Sequence, residues 1–312
     1  MKYPYIPSPS KFGRYAVLSP ETAMKIYPTP LPVPVHIPRP SYVPRNFFTA
    51  PWGDHELPNN EDEVVRGVRL GTEEEICVRR VGKMAGEVLK LIGGLIRPGI
   101  TTSQIDSAVH EEIIRLGAYP STLGYGLFPK SCTTSVNNVI AHGIPDDRPL
   151  LSDDIVNLDL TIYLNGWHGD CSRTFLLPSV DEQGKELVHV TEEALEAAIG
   201  ICEPGRPYRD IGRVIQDLAE KHDSSVNTQF GGHGIGKSFH QPPWILHHRN
   251  DEQGEMKIGD CFTIEPPLVQ GSRSKGTLWD DGWTMSTETG ARSAQFEHQI
   301  LITDRGADVL TR

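Results

Sequence analysis

The chain has 312 residues, of which 38% are hydrophobic, so it is long enough to bury a large core in one or two domains. Its formal net charge of −11, without a basic stripe, excludes nucleic acid and anionic membranes as the main partners. No apolar run reaches the roughly 18 residues of a membrane span, and five widely spaced cysteines without a CxxC pair predict reduced thiols in an intracellular compartment.

Residues 1–58 form a proline-rich N-terminal leader, which contains 13 of the 25 prolines. The densest part, residues 28–44, is typical of an extended, polyproline-like chain without internal hydrogen bonds. We interpret the leader as a strap along the rest of the chain or a loose spacer, with a docking motif for a partner as the alternative. Its basic residues resemble those of a transit peptide, but prolines such as Pro4 and Pro20 forbid the amphipathic helix that such a peptide needs.

Residues 59–312 show the periodicity of helices and strands. Apolar residues at helical spacing predict helices over about 72–97, 101–117, 182–202 and 207–222, the first opened by a capping box of Thr72 and Glu75. Runs rich in Val, Ile, Thr and Phe predict strands over about 133–141, 154–163, 170–177, 260–270 and 293–302. This order predicts an α+β domain of two similar halves, each an antiparallel sheet backed by helices.

Five acidic or imidazole side chains lie in apolar or glycine-rich stretches, where an unpaired charge is costly. They are Asp159, Asp170, His233, Glu265 and Glu297. Four carboxylates and one imidazole make an oxygen-rich ligand set that suits two divalent cations better than one. The composition therefore indicates a dinuclear hydrolase centre, whereas a mononuclear structural site would leave too many carboxylates unneutralised.

Two of the five predicted ligands lie on neighbouring strands. Asp159 and Asp170 flank the turn formed by residues 164–167, so the two carboxylates can face each other across a hairpin. Thr161 shares a strand face with Asp159 and is a natural hydrogen-bond donor to a ligating carboxylate. A single aspartate would be better interpreted as a capping or turn residue, but four buried acids in similar surroundings favour metal ligands.

Two further histidines stand beside glycine-rich turns. His142 and His240 could point into a cleft, where a neutral imidazole can donate a hydrogen bond to a peptide carbonyl or move a proton. Each alone would more often be a surface or core histidine, and we assign that ordinary role to His168, His247, His248 and His298.

A set of short strings resembles the type 1 methionine aminopeptidases. In order, they are His142-Gly-Ile-Pro145, Asn157-Leu-Asp159, His168-Gly-Asp170, Gly232-His233-Gly-Ile-Gly236, Phe239-His240, Thr263-Ile-Glu265-Pro266 and Ser293-Ala-Gln-Phe-Glu297-His298. The resemblance runs from about residue 59 to the end of the chain. It implies the pita-bread fold, with two pseudo-symmetric halves and a dinuclear metal site at the centre.

The same resemblance implies a role for each candidate residue. Asp159, Asp170, His233, Glu265 and Glu297 become the metal ligands, with Asp170 and Glu297 bridging two divalent ions that can be Mn, Fe, Co or Zn. Glu265 is also the expected proton acceptor. His240 is expected to stabilise the oxyanion, and His142 to contact the peptide nitrogen or help protonate the leaving amine.

The resemblance also implies a substrate pocket and a substrate. The pocket residues are Tyr125, Phe128, Cys132, Phe239 and Trp283, with His142 and His240 also contacting substrate; a thiol and aromatic rings suit a thioether. We therefore predict removal of the N-terminal methionine from nascent proteins and peptides, with a small second residue preferred. The expected partners are nascent polypeptide N-termini, with association with the ribosome as one setting.

Sequence lengths favour one branch of this family. The separation of Glu265 from Glu297 leaves no room for the helical insertion of type 2 enzymes. No cysteine precedes Cys77, so the N-terminal zinc-binding module of the cytosolic eukaryotic type 1 enzymes is missing, which makes the chain similar to the organellar branch. We predict a monomer, without nucleic-acid or membrane partners, in the cytosol or the mitochondrion.

Two other functions use the same fold. A proline-specific exopeptidase would keep the five ligands, but it carries a longer N-terminal domain and a different pocket. A non-catalytic pita-bread binding protein would recruit partners through the same surface, but such proteins lose metal ligands and this chain has all five candidates.

Overall fold

A computed structural model of the chain describes residues 6–22, 28–51, 54–56 and 67–312. The predicted boundary between leader and catalytic domain, at residues 58 and 59, lies outside these ranges. The described α-helices are α1 (Glu73–Gly93), α2 (Thr102–Arg115), α3 (Glu182–Gly200) and α4 (Arg209–Lys221), and short 3-10 turns cover Ser10–Phe12, Pro20–Thr22 and Tyr125–Leu127.

The strands fall into two groups along the chain. In the first half they are β1 (Tyr119–Pro120), β2 (Thr133–Val136), β3 (Val139–Ala141), β4 (Ile155–Leu164) and β5 (Trp167–Leu176). In the second half they are β6 (Ser224–Val226), β7 (Gly232–Gly234), β8 (Gln241–Ile245), β9 (Cys261–Ile264), β10 (Leu268–Gln270), β11 (Gly276–Leu278), β12 (Met285–Thr287), β13 (Ser293–Ala294), β14 (His298–Thr303) and β15 (Gly306–Val309).

All four predicted helices are confirmed, but the cap of α1 differs from the prediction. Thr72 Oγ1 accepts a hydrogen bond from the Glu74 amide at 3.3 Å, whereas the Glu75 side chain accepts from the Gly71 amide at 2.7 Å. The two residues therefore cap the helix without the reciprocal pair of bonds of a capping box. The reciprocal pair occurs instead at the start of α2, between Thr101 and Gln104.

The predicted hairpin is the longest ladder of the structure. Strands β4 and β5 pair from Ile155↔Leu176 to Leu164↔Trp167. The connecting Asn165 and Gly166 both have positive φ, 52° and 87°, as a two-residue hairpin turn with the correct twist requires. Helix α1 lies on this hairpin so closely that a Cβ on Gly169 would meet the Val81 carbonyl oxygen at 2.5 Å.

Two larger antiparallel sheets meet at the centre of the molecule. One contains β4 paired with β1, β2 and β5; the other has the order β15-β14-β9-β7-β8, and two three-stranded sheets complete the described strands. The Glu297 amide donates to the Ser172 carbonyl at 3.0 Å and so links β5 to the residue preceding β14. The predicted α+β architecture is confirmed, and ligand candidates from both halves meet at this junction.

The described parts of the leader pack against the rest of the chain. Phe12 and Tyr15 are buried in a cluster with Ile140, while Val43 and Phe47 belong to a second cluster with Tyr119 and Leu123. These segments therefore lie along the domain, as a strap would. No helix in the described part of the chain combines the length and apolarity needed to cross a membrane.

Candidate metal centre

The β4–β5 hairpin brings two of the predicted ligands together. Asp170 pairs with Thr161 and Asp159 pairs with Ser172, so the two aspartates are diagonal neighbours on the same face of the ladder. The predicted hydrogen bond is confirmed, because Thr161 Oγ1 donates to Asp170 Oδ1 at 2.7 Å. The Asp170 amide in turn donates to Gln299 Oε1 at 3.1 Å, so the residue is held at backbone and side chain.

Glu265 and Glu297 each lie one residue beyond the paired ends of strands β9 and β14. Ile264 on β9 pairs with His298 on β14, so Glu265 and Glu297 occupy adjacent positions at the ends of these strands. Both carboxylate oxygens of Glu265 accept hydrogen bonds, Oε1 from Thr263 at 2.8 Å and Oε2 from the Gln295 amide group at 3.2 Å. These donors fix the plane of the carboxylate.

His233 lies on β7, a strand made almost entirely of glycine. A Cβ on Gly232 would meet the Thr263 carbonyl oxygen at 2.3 Å, and one on Gly234 the Pro242 carbonyl oxygen at 2.4 Å. The glycines therefore let β7 fit closely between its neighbours β8 and β9. His233 Nε2 comes to 3.5 Å from Glu265 Oε1 and 3.8 Å from Asp170 Oδ2.

All five predicted ligands face one cavity of about 140 Å³. Donor atoms of Asp170, His233 and Glu297 lie within 4.8 Å of one another, and all three residues are buried. Asp159 and Glu265 complete the acidic wall. The structure thus brings the five residues together, and their role as ligands stays a prediction.

The electrostatics of this cluster show why a cation suits it. Burial raises the pKa of Asp159 to about 7 and, with the nearby Asp159 charge, that of Glu265 to about 8. Burial and mutual repulsion raise the pKa values of Asp170 and Glu297 well above their ordinary range. Among the described residues no lysine or arginine forms an ion pair with any of the four. A compact, hard, oxygen-rich donor set of this kind fits divalent metal.

The two predicted imidazoles, His142 and His240, line the same cavity. His142 adopts a left-handed φ of 58°, a strained conformation for a residue other than glycine, and burial lowers its pKa to about 4. The His240 ring centroid lies 4.1 Å from that of His233, and its buried Nδ1 has no hydrogen-bond partner among the described residues. Both rings are therefore placed where a substrate would meet the acidic cluster.

Aromatic rings form another wall of the cavity. Phe128 and Trp283 meet edge to face with centroids 5.1 Å apart, and Tyr125 lies 4.9 Å from Phe239. These four rings line the cavity as the pocket prediction required.

Cys132 is the exception among the predicted pocket residues. It is absent from the cavity lining, is fully buried, and has its Sγ 3.8 Å from Asp106 Oδ1. The next residue, Thr133, lines the cavity instead, and its Oγ1 lies 3.4 Å from Asp159 Oδ2. Since alternate residues of an extended chain face opposite sides, a shift of one position exchanges which side chain faces the cavity.

Other residues of the site were not predicted from the sequence. Thr122 lines the cavity, Thr263 and Gln295 hold Glu265, and Gln299 holds Asp170. Three of these residues have a sequence signal, which is their proximity to a predicted ligand. Thr263 and Gln295 each stand two residues before a predicted ligand, and Gln299 stands two residues after one. On strands that spacing places side chains on the same face.

Comparison with known proteins agrees with this geometry. Residues 76–304 match the metallopeptidase family M24. "Methionine aminopeptidase 1D, chloroplastic/mitochondrial" of Arabidopsis thaliana is 51% identical over 282 residues, which are 90% of this chain and 77% of that protein. The chain belongs to the methionine aminopeptidases of metallopeptidase family M24.

Two more relatives of this family extend the comparison. "Methionine aminopeptidase 1D, mitochondrial" of Homo sapiens is 46% identical over 281 residues, 90% of this chain and 80% of that one. The crystal structure of methionine aminopeptidase from Rickettsia prowazekii superposes with a TM-score of 0.76 at 41% identity, covering 78% of this chain and all of that chain. The pita-bread fold of the M24 metallopeptidases and the similarity to the organellar type 1 branch are thereby confirmed, and membership of a metallopeptidase family implies that divalent metal binds.

Proposed function

We propose that this chain removes the N-terminal methionine from peptides and nascent proteins, with a small second residue preferred. One observation carries the proposal: the five candidate ligands, two imidazoles and four aromatic rings face a single cavity. Membership of the methionine aminopeptidases supports it independently.

The five acidic and imidazole side chains would hold two divalent cations, with Asp170 and Glu297 shared between them. Such cations lower the pKa of a water molecule and supply a nucleophile at neutral pH. An oxygen-rich set with one imidazole accepts Mn, Fe, Co or Zn, so availability decides among them.

The chain's own residues would carry the proton transfers. Glu265 accepts the proton of the attacking water, and the hydrogen bonds from Thr263 and Gln295 hold its carboxylate in position for that role. Neutral His240 donates a hydrogen bond to the scissile carbonyl oxygen as negative charge develops there. His142 contacts the peptide nitrogen and assists protonation of the leaving amine.

The aromatic wall would select the first residue of the substrate. Tyr125, Phe128, Phe239 and Trp283 offer an apolar surface for an unbranched thioether, and a charged side chain would find no partner there. The second residue must lie beside the acidic cluster and His142, so a small side chain fits best.

The setting of the activity is also a proposal. We place the chain in the mitochondrion, because the two relatives named above are called mitochondrial or chloroplastic/mitochondrial. We also propose that it acts as a monomer on the N-termini of nascent chains. Subcellular fractionation with an antibody to the chain tests the compartment, and recovery in the cytosolic fraction alone would contradict it.

A substrate panel with metal analysis tests the activity. Purified protein should bind two equivalents of divalent metal and release Met rapidly from Met-Ala-Ser and Met-Gly peptides but barely from Met-Lys and Met-Trp peptides. An Ala-Pro peptide serves as the control for a proline-specific exopeptidase. Equal kcat/KM on all Met peptides, or faster cleavage of Ala-Pro, would refute the substrate assignment even if both metals bind.

A further inference from the structure

A leader residue backs the aromatic wall of the cavity. The Tyr42 ring meets the Tyr125 ring edge to face, with centroids 5.0 Å apart and an interplanar angle of 89°, and lies 6.4 Å from Phe239. Tyr42 itself is not among the cavity-lining residues. It thus contacts two rings of the wall without lining the cavity itself.

Hydrogen bonds tie Tyr42 to a second support of the same wall. Its hydroxyl donates to the Ser121 carbonyl oxygen at 2.6 Å, and Ser121 Oγ lies 2.9 Å from His168 Nδ1. The His168 ring stacks on Phe239 with centroids 5.3 Å apart and an interplanar angle of 12°. Phe239 therefore packs against both His168 and Tyr125, and the Tyr42 ring lies 6.1 Å from the His168 ring as well as 5.0 Å from the Tyr125 ring.

The leader and the Tyr125 turn are fitted to each other. Gly124, at a φ of 87°, precedes the 3-10 turn of Tyr125–Leu127, and a Cβ there would meet Val43 Cγ1 at 2.9 Å. Val43 and Phe47 are buried with Leu123 in one cluster. The leader is thus packed directly beneath the turn that presents Tyr125 to the cavity.

We infer that Tyr42 is a positioning residue for the first-residue pocket, holding Tyr125 and Phe239 in place without touching substrate. This inference rests on the proposed function. The backbone hydrogen bonds of the turn fix the main chain at Tyr125 but not the position of its ring, so ring packing sets the shape of this wall. The leader then contributes to substrate selectivity, and is more than a spacer.

The test compares Tyr42→Leu, Tyr42→Phe and the control Phe47→Leu. Phe47 is buried in the same leader cluster, but its ring contacts are with Phe48 and His55 rather than with Tyr125 or Phe239. For each purified protein we would measure kcat and KM on Met-Ala-Ser and Leu-Ala-Ser peptides, bound metal, and the melting temperature. Wild-type cleavage of Met-Ala-Ser tests the proposed function first and separately.

Tyr42→Leu should raise KM for the Met peptide and lower the Met-over-Leu ratio of kcat/KM by about tenfold, the scale of one altered contact in an apolar pocket. Its kcat and metal content should stay near wild type. Tyr42→Phe should restore most of the ratio because the ring remains, and Phe47→Leu should lower the melting temperature without changing the ratio.

Two outcomes would overturn the inference. One is a Tyr42→Leu protein with the wild-type ratio and only a lower melting temperature. The other is a Phe47→Leu protein whose ratio falls as far as that of Tyr42→Leu, since loosening of the leader in general would then explain the effect. If Tyr42→Leu does not fold, Tyr42→Met, whose longer and more flexible side chain reaches further into the space left by the ring, takes its place with the same expected change.

Discussion

The acidic cluster and the aromatic wall line one cavity but are built differently. Asp159, Asp170 and His233 lie on strands, and Glu265 and Glu297 lie one residue beyond paired strand ends. The rings of the wall stand in irregular segments: Tyr125 and Phe128 in and after a 3-10 turn, Phe239 in a bend, and Trp283 in the loop before β12.

The acidic cluster and the aromatic wall are therefore held in place by different interactions. Strand pairing fixes the backbone that carries the acidic residues, and hydrogen bonds such as that from Thr161 to Asp170 hold their side chains. The wall depends on side-chain packing between segments distant in sequence, including the leader. We therefore expect substitutions in the cluster to act on metal and turnover, and substitutions in the wall to act on selectivity.

The largest effect is expected for Asp170 and Glu297, the two carboxylates that we propose would be shared between two divalent cations. Asp170→Asn or Glu297→Gln should abolish turnover and lower metal content in a folded protein, because each removes a negative charge from the middle of the cluster. Turnover, metal stoichiometry and circular dichroism check this together. Near-wild-type turnover with two metals bound would show that the substituted carboxylate is not shared between the cations.

The next largest effect is expected at His240 and tests whether this imidazole acts on the substrate or binds metal. His240→Ala should lower kcat by roughly 10²–10³, the scale for losing one donor to a developing oxyanion, with metal content unchanged. His222→Ala, at a histidine half-exposed beside Glu186, is the matched control and should keep wild-type kcat. Normal kcat with depleted metal in His240→Ala would make this residue a ligand and contradict its proposed role.

A smaller effect is expected from a residue that holds a ligand. Thr161→Val removes the 2.7 Å hydrogen bond to Asp170 Oδ1 and should weaken metal affinity by about 10–100-fold. Metal titration by calorimetry measures it, with Thr277→Val on exposed β11 as the control. Unchanged affinity in Thr161→Val would mean that the β4–β5 ladder alone orients Asp170.

The smallest effect is expected at Cys132 and Thr133, two neighbouring residues at the start of β2. Thr133→Val should change the Met-over-Leu ratio of kcat/KM by about tenfold or less, since it alters one contact of the cavity. Cys132→Ala should leave this ratio unchanged and affect stability only, because Cys132 is buried away from the cavity lining. The reverse result would restore the sequence-based assignment of Cys132 to the pocket.

Regular periodicity made much of the fold predictable. The four helices and the β4–β5 hairpin follow from helical spacing, caps and an Asn-Gly turn, which are local signals. Strands β7 and β8 were not predicted, because Gly232-His233-Gly234 and the prolines at positions 242 and 243 lack the side chains typical of strands. Their conformation is imposed by pairing with β9 and with each other.

The sequence by itself determined the ligand candidates, because four acids and a histidine in apolar or glycine-rich strings indicate a buried charge cluster whatever the fold. Only the tertiary structure decided which neighbours complete and support the predicted aromatic rings of the pocket. Whether Cys132 or Thr133 faces the cavity depends on a register of one residue. The placement of Tyr42 behind Tyr125 depends on contacts between segments more than 80 residues apart, which no local pattern encodes.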